Sequence, residues 1–400
     1  MRISSSTIFD NNVAALNQQQ ARLQQTQQQI TSGRRLLTAA TDPVAATRAL
    51  DITQADAINT QQISNRGAAR DPLTLAEGTL ASVTSLLQDV RTTAVQAGNG
   101  TLTSVQRASL AKDMSSRLQE LVGLANSTDG SGNYMFSGFQ AKTPPFVDSP
   151  AGVSYFGDDG QRLVQASPGR QIAVGDSGAD VFMRIKNGNG TFSVQAGAAN
   201  TGSGLINNSA VINPAALTGN SYSVSFAVAA GVTTYSVNNV TTGLPVAGMT
   251  AQPYVSGQAI AFDGMQLSIQ GAPANGDSFA VAPSVNQSVF KTISDMINVL
   301  NAPLVGANVN NGLSNGIANL DNALNNVLNY RSSIGSRINE LDSLQATGDS
   351  IGLQLKQSLS TLQDTDYNKA ISDLNLQQTT LQAAQKSFAQ VANLSMFTYL

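Results

Sequence analysis

Apolar residues recur at seven-residue intervals at both ends of this chain. The repeat comprises Leu16, Leu23, Ile30 and Leu37 near the N-terminus, and Leu374, Leu381 and Phe388 near the C-terminus. An apolar heptad predicts a helix whose narrow hydrophobic stripe packs against a partner helix, because such a stripe does not close a globular core alone. We therefore expect each end to supply one coiled-coil helix, which pairs with the other end or with a neighbouring molecule.

The two stripes form the predicted assembly seam of the chain. Its members are Leu16, Leu23, Ile30, Leu374, Leu381, Phe388 and Val391. The alternate seam positions are predicted to hold Gln20, Gln27, Gln378 and Gln385. Polar side chains at such positions lower the stability of a coiled coil while fixing its register. The terminal helices should therefore be marginally stable until neighbouring subunits cover them.

Charged residues are scarce, at 12% of the sequence with a formal net charge of −3. This balance gives no electrostatic reason to expect nucleic acid or an anionic membrane as a partner. Low charge also favours self-association, because little repulsion keeps copies apart. No apolar run approaches the ~20 residues of a membrane helix. Met1 to Asp10 lack the apolar centre of a secretory signal, so we expect no cleaved signal peptide.

The chain contains no Cys and no His. Disulfides, thiol nucleophiles, zinc sites with nitrogen and sulfur ligands, and histidine-dependent triads are therefore excluded. Carboxylates cluster at Asp158-Asp159-Gly160 and between Asp176 and Asp180. Neither segment has the alternating oxygen ligands and distal Glu of a calcium loop. We expect no metal, no cofactor and no catalytic residue.

The hydrophobic period changes from helix to strand and back along the chain. Helices are predicted over residues 10–40, from Pro43 to about Ala97, up to about Asn126, and from about Val285, with a break at 303–312 and a new start at Ile317. Strands bounded by Gly, Asn, Asp and Pro are predicted at 222–228, 233–237, 259–262, 265–270 and 278–282.

This order predicts a mainly α fold with an inserted all-β domain. The helical part is a discontinuous bundle and coiled coil built from both termini, and the β domain lies in the centre of the sequence. The predicted domains are residues 1–42 and 365–400 as terminal coiled-coil helices, 43–146 and 285–364 as a helical bundle with a β-hairpin, and 147–284 as an outer β domain.

Several short motifs resemble those of the flagellin-like family of flagellar axial proteins. They are SGRRLLTAATDPVAATRAL (32–50), YMFSG (134–138) with TPPF (143–146), YFGDDG (155–160), RSSIGSRINEL (331–341), LSTLQDTDYNKA (359–370) and SMFTYL (395–400). Their order and spacing at both ends carry the resemblance. It implies a structural component of the bacterial flagellum, an adaptor at the hook–filament junction that connects hook-associated protein 1 to flagellin.

Other expectations rest on the resemblance alone. The subunits would form a ring, with the terminal helices facing an inner channel and the β domain projecting outward. The protein would be exported through the flagellar type III apparatus, and an export chaperone would cover the C-terminal stripe beforehand. Its location would be extracellular, at the hook–filament junction of the flagellum.

Two other functions remain open from the sequence. A flagellin-type filament subunit would share the terminal motifs, although YMFSG, TPPF and YFGDDG favour the junction protein. A secreted adhesin would use the β domain for binding and the helices as a stalk. A hydrolase would depend on paired carboxylates, and the β region shows no recognisable pair.

Overall fold

A computed structural model describes residues 5–303 and 306–394, without the side chains of residues 5, 6, 8 and 391–394. The chain forms two compact units. The described parts of Met1–Asn65 and Ser343–Leu400 form the terminal unit, and the central unit is Arg66–Asp342.

Helices flank a run of strands, as the sequence predicts. The helices are α1 (Ser5–Ser32), α2 (Pro43–Ala97), α3 (Ser104–Ala125), α4 (Val289–Asn301), α5 (Ala307–Gln363) and α6 (Tyr367–Leu394). The strands are β1 (Phe146–Ser149), β2 (Gly152–Tyr155), β3 (Leu163–Ser167), β4 (Arg170–Ala173), β5 (Ile185–Lys186), β6 (Phe192–Ala196), β7 (Leu205–Val211), β8 (Tyr222–Ala229), β9 (Val232–Asn239), β10 (Leu244–Pro245), β11 (Gln252–Pro253), β12 (Ala259–Phe262), β13 (Met265–Gln270), β14 (Ser278–Pro283) and β15 (Asn286–Gln287). The predicted fold class, mainly α with an inserted β domain, is confirmed.

Several helix boundaries differ from the prediction, and the largest differences are at the end of α1 and at the start of α5. Helix α1 ends at Ser32, because Gly33 has a φ of +68° and terminates it in the left-handed conformation. The prediction of a helix to residue 40 is therefore wrong, and Leu37 does not continue the heptad on α1. Helix α5 begins at Ala307 and not at Ile317.

Carboxylates cap two of the helices. Asp42 Oδ1 accepts a hydrogen bond from the Ala45 amide at 3.0 Å, at the start of α2. Asp366 Oδ1 accepts from the amides of Asn368 and Lys369, at the start of α6. Asp364 instead accepts from a serine hydroxyl one helical turn earlier and caps no helix. The cap on α6 is therefore Asp366 alone.

The outer strands form a β-sandwich in the central unit. One sheet has six strands in the order β10-β9-β8-β14-β6, with β11 also on β9, and the other has the order β12-β13-β7. Both sheets contribute to one hydrophobic cluster, which includes Tyr222, Phe226 and Phe279 from the first sheet and Phe262 and Leu267 from the second. The five strands predicted from the sequence are confirmed as β8, β9, β12, β13 and β14.

The sandwich has a narrow connection to the rest of the central unit. Strand β5 pairs with β15 in antiparallel register, with Lys186 opposite Asn286. The chain therefore enters and leaves the sandwich at neighbouring positions. We call this two-stranded segment the neck.

An aromatic cluster packs the hairpin of β1 and β2, and the residues around it, against α4. The rings of Phe136 and Phe182 lie 5.4 Å apart, those of Phe146 and Phe182 lie 5.5 Å apart, and those of Phe146 and Phe290 lie 5.2 Å apart. The Tyr155 hydroxyl donates to the Phe136 carbonyl at 3.0 Å. The motifs YMFSG, TPPF and YFGDDG thus supply one buried anchor.

Among the described residues, none of the helices has the length and hydropathy of a membrane span.

Candidate assembly interface

Helices α1 and α6 pack against each other in antiparallel orientation. The rings of Phe9 and Phe388 lie 5.1 Å apart, and the Thr365 hydroxyl lies 3.3 Å from the Gln29 carbonyl, to which it donates. These two contacts fix the register, and heptad steps from Phe9 and Phe388 place Leu16 opposite Leu381. The predicted pairing of the two ends is therefore present within one chain.

The predicted seam residues are only half-buried in this pair. The half-buried members are Leu16, Leu23, Ile30, Leu374, Leu381 and Phe388, and the side chain of Val391 lies outside the described residues. A cleft of about 350 Å³ lies between the helices beside Leu16 and Phe388. The seam is thus incompletely packed within one chain, and its use in assembly stays a prediction.

The prediction of which polar residues occupy the seam is wrong. Gln20, Gln27, Gln378 and Gln385 are exposed. In each heptad, the next side chain that points into the seam lies three residues after the leucine, and not four. The alternate seam positions are therefore Gln19, Thr26, Gln377 and Ala384. Gln377 Oε1 is buried without a hydrogen-bond partner in the described chain. An unpaired buried acceptor costs ~1–3 kcal/mol, so the seam is weakened by a polar residue, but not one of those predicted.

The SGRR motif at the end of α1 binds the end of α5 and the short link between α5 and α6. The Arg35 amide donates to the Gln363 carbonyl at 2.7 Å, and Arg35 Nη2 donates to the Leu362 carbonyl at 2.8 Å. The Thr365 amide donates to the Gly33 carbonyl at 2.9 Å. Motifs that are far apart in the sequence, at 32–50 and 359–370, therefore form one contact.

Small residues bring α2 and α5 together in the terminal unit. The buried Asn59 side chain donates to the Gly348 carbonyl at 2.8 Å, and a Cβ added at Gly352 would lie 3.1 Å from Asn59 Nδ2. Glycines such as these are poor helix formers. They allow the close approach of α2, and the helix continues through them.

The terminal unit has little hydrophobic core. Its buried described residues are Thr26, Ala45, Ala49, Asn59, Gly348, Gly352 and Ala370. Its exposed large apolar residues include Phe9, Val44, Leu50, Ile58, Ile351, Leu353, Ile371 and Leu376. By contrast, the central unit fully buries Leu73, Leu80, Leu87 and Leu320. The terminal unit therefore exposes large apolar side chains on its surface.

Three of the carboxylates noted in the sequence, Asp159, Asp176 and Asp180, bind arginines, whereas Asp158 accepts from the amides of Phe139 and Gly160. Asp159 accepts from Arg184 Nη2 at 2.7 Å, and this hydrogen bond holds the pKa of the carboxyl below its usual range. Asp180 accepts from Arg184 Nη1 at 2.7 Å, and the buried Asp176 accepts from Arg337 at 2.5 Å. Within residues 5–303 and 306–394, no three carboxylates lie close enough together to hold a metal ion. These groups stabilise the fold.

Comparisons with known proteins agree with this architecture. Residues 3–141 match the bacterial flagellin N-terminal helical region, and residues 317–400 match the bacterial flagellin C-terminal helical region. The chain is 32% identical to FlgL of Xanthomonas campestris, and the match covers 77% of this chain and 99% of that one with a TM-score of 0.70. This chain belongs to the flagellar hook-associated protein 3 (FlgL) family.

Two further members of the family match closely. FlgL of Legionella pneumophila, described as the flagellar junction protein, is 32% identical, with a TM-score of 0.72 over 79% of this chain and all of that one. The flagellar hook-associated protein 3 of Salmonella typhimurium is 27% identical over 99% of both chains. The resemblance seen in the motifs is confirmed, and the hook-associated protein 3 family is favoured over filament flagellin along nearly the full length.

The middle of the β region also has a relative. Residues 195–283 match the D2-like domain of flagellar hook-associated protein 1. The motifs did not reveal this match, because the segment consists of common strand and turn residues without a distinctive short pattern. The matched segment lies inside the sandwich, beyond the neck.

Proposed function

We propose that this hook-associated protein 3 family member is a non-enzymatic adaptor at the hook–filament junction, which connects hook-associated protein 1 to flagellin. The observation that carries the proposal is the terminal unit, whose large apolar side chains are half-buried or exposed. A ring of identical subunits, with hook-associated protein 1 below and flagellin above, would cover these side chains.

The seam is suited to completion by neighbours. Helices α1 and α6 leave a cleft beside Leu16 and Phe388, and Leu376 on α6 is 66% exposed. Hydrophobic side chains gain ~25 cal/mol for each Å² of apolar surface removed from water. Subunit contacts at this cleft and, separately, at Leu376 would therefore supply the stability that the isolated pair lacks.

Export without a cleaved signal peptide is part of the proposal. A terminal unit with few buried apolar groups opens at low cost, and the chain has no disulfide to break before it is threaded. An export chaperone would cover the apolar face of α6 before secretion. The protein then lies outside the cell, in the flagellum.

The sandwich supports a peripheral role for the β region. No charged residue occurs between Asn187 and Phe262, so this part lacks a basic surface for nucleic acid or for an anionic membrane. We propose that residues 147–284 form the outer domain, with the sandwich beyond the neck as its projecting part.

A chromosomal deletion tests the proposal. Cells without the gene should keep their hooks, lose their filaments and release flagellin into the medium, and the wild-type gene on a plasmid should restore all three features. Electron microscopy and immunoblots of the medium give the readouts. Filaments of normal length on the deletion strain would contradict the proposed function.

A further inference from the structure

A stripe of asparagines runs along the first turns of α5, in the central unit. Its members, three or four residues apart, are Asn308, Asn311, Asn315, Asn319, Asn322 and Asn326. Each side chain forms a hydrogen bond with the main chain of residues 180–206. The first asparagines of α5 bind residues 200–206, and the last one binds residue 180. The segment 180–206 therefore runs antiparallel to α5.

Asn311 is the most buried member of the stripe, at 2% exposure. Its Nδ2 donates to the Gly204 carbonyl at 2.8 Å, and its Oδ1 accepts from the Ile206 amide at 2.9 Å. The side chain therefore satisfies two main-chain groups at the start of β7. Neighbouring members repeat the contact, since Asn308 donates to the Asn200 carbonyl at 2.7 Å and Asn315 donates to the Val194 carbonyl at 3.0 Å.

The same residues are poor helix formers. Asparagine side chains compete with the backbone for hydrogen bonds, and glycine has the greatest freedom to lose. Gly312 and Gly316 lie in the same segment, where an added Cβ would collide with Val299 and Met296 of α4. Local propensity thus favours a loop at 303–312, yet the segment is helical from Ala307.

We infer that the β-sandwich imposes the helical conformation on the start of α5. Its main chain binds the asparagine amides that would otherwise compete with the helix, while α4 packs against the glycines. The sandwich thus acts as a template for residues 307–318 in addition to being an outer domain. The inference goes beyond the junction function, because it concerns the folding of the chain and holds whatever the chain connects.

Hydrogen exchange of the full chain tests the inference through the sign of one substitution. Alanine is a better helix former than asparagine, so Asn311→Ala would slow amide exchange in 311–318 if local propensity held the helix. We expect the opposite, an increase of about tenfold, which corresponds to ~1.4 kcal/mol for the lost side-chain bonds. Asn310 is half-buried on the adjoining face, without a side-chain hydrogen bond in the described chain, and Asn310→Ala should leave exchange unchanged or slower.

Exchange in β13 and β14 shows whether the sandwich remains folded in each variant. If Asn311→Ala unfolds it, Asn315→Ala offers the same comparison, because that half-buried side chain forms one bond to the sandwich. Slower or unchanged exchange in 311–318 for a stripe variant with a folded sandwich would overturn the inference. Faster amide exchange in 311–318 for the stripe variant, with no such increase for Asn310→Ala, supports the inference.

Discussion

Placing a charge at Phe388 tests the seam between α1 and α6. The ring packs 5.1 Å from that of Phe9, and Phe388 is half-buried. Truncation of a fully buried Phe costs ~3–5 kcal/mol, and half burial reduces this to ~2 kcal/mol. Phe388→Asp also brings a carboxylate toward a partly apolar seam, so ~2 kcal/mol is a lower bound.

This loss should be confined to the terminal pair. A cost of ~2 kcal/mol increases the open population about thirtyfold, so amide exchange in 9–26 and 374–388 should rise by this factor. The main thermal transition should keep its midpoint, because the central unit has its own buried core. In cells, the variant should be secreted but should not hold a filament.

Gln385 provides the matched control, since it lies one turn earlier on α6 and its side chain is exposed. Gln385→Asp introduces the same charge away from the seam and should exchange, melt and swim like the wild type. Two results for Phe388→Asp would refute the reasoning. One is normal swimming with normal secretion, and the other is a fall in the main melting midpoint equal to that of a core substitution.

Three further outcomes are expected. Gly138→Ala should lower the stability of the central unit by ~2–4 kcal/mol in thermal melts, because Gly138 has a φ of +71° and an added Cβ would overlap a neighbouring carboxylate, whereas Gly130→Ala has open space and should be neutral. Exchanging residues 188–284 for a flexible linker should preserve export and some swimming, whereas removing 147–284 also breaks the aromatic cluster and should reduce the soluble yield. The pKa of Asp159 is lower in the folded chain than in the unfolded chain, so the ionised carboxylate stabilises the fold. This stabilisation is fully present above the unfolded pKa of about 4 and is lost as the pH falls through the folded pKa. Melting temperatures measured below pH ~4 should therefore fall less for Asp159→Asn than for the wild type.

The hydrophobic period of the sequence correctly predicted the helices and strands whose local residue pattern is enough to determine them. The heptads of Leu16 and Leu381 correctly marked two helices that pair, and alternation correctly marked β12 and β13 to the residue. The sequence did not distinguish Gln19 from Gln20 on the seam, because a heptad permits either a three-residue or a four-residue step after leucine. Only the packing of α1 on α6 decides between them.

Tertiary contacts determined the features that the sequence missed. The start of α5 has loop-like composition, and its helix depends on bonds from residues such as Asn311 to the sandwich. The neck joins Lys186 to Asn286, which are far apart in the chain and belong to strands too short to show a period. The predicted outer boundary at residue 147 stays a prediction, and the neck offers a second place to divide the chain.

Cross-linking in assembled flagella tests most directly whether the apolar surface of the terminal unit contacts other subunits. A photo-reactive amino acid at Leu376, which is 66% exposed on α6, would be activated in isolated hook–filament particles and in dilute purified protein. We expect adducts with a second copy of the chain, with hook-associated protein 1 or with flagellin in the particles, and none in the dilute protein. Particles that contain the variant and support a filament, but yield no adduct at this position, would contradict the account.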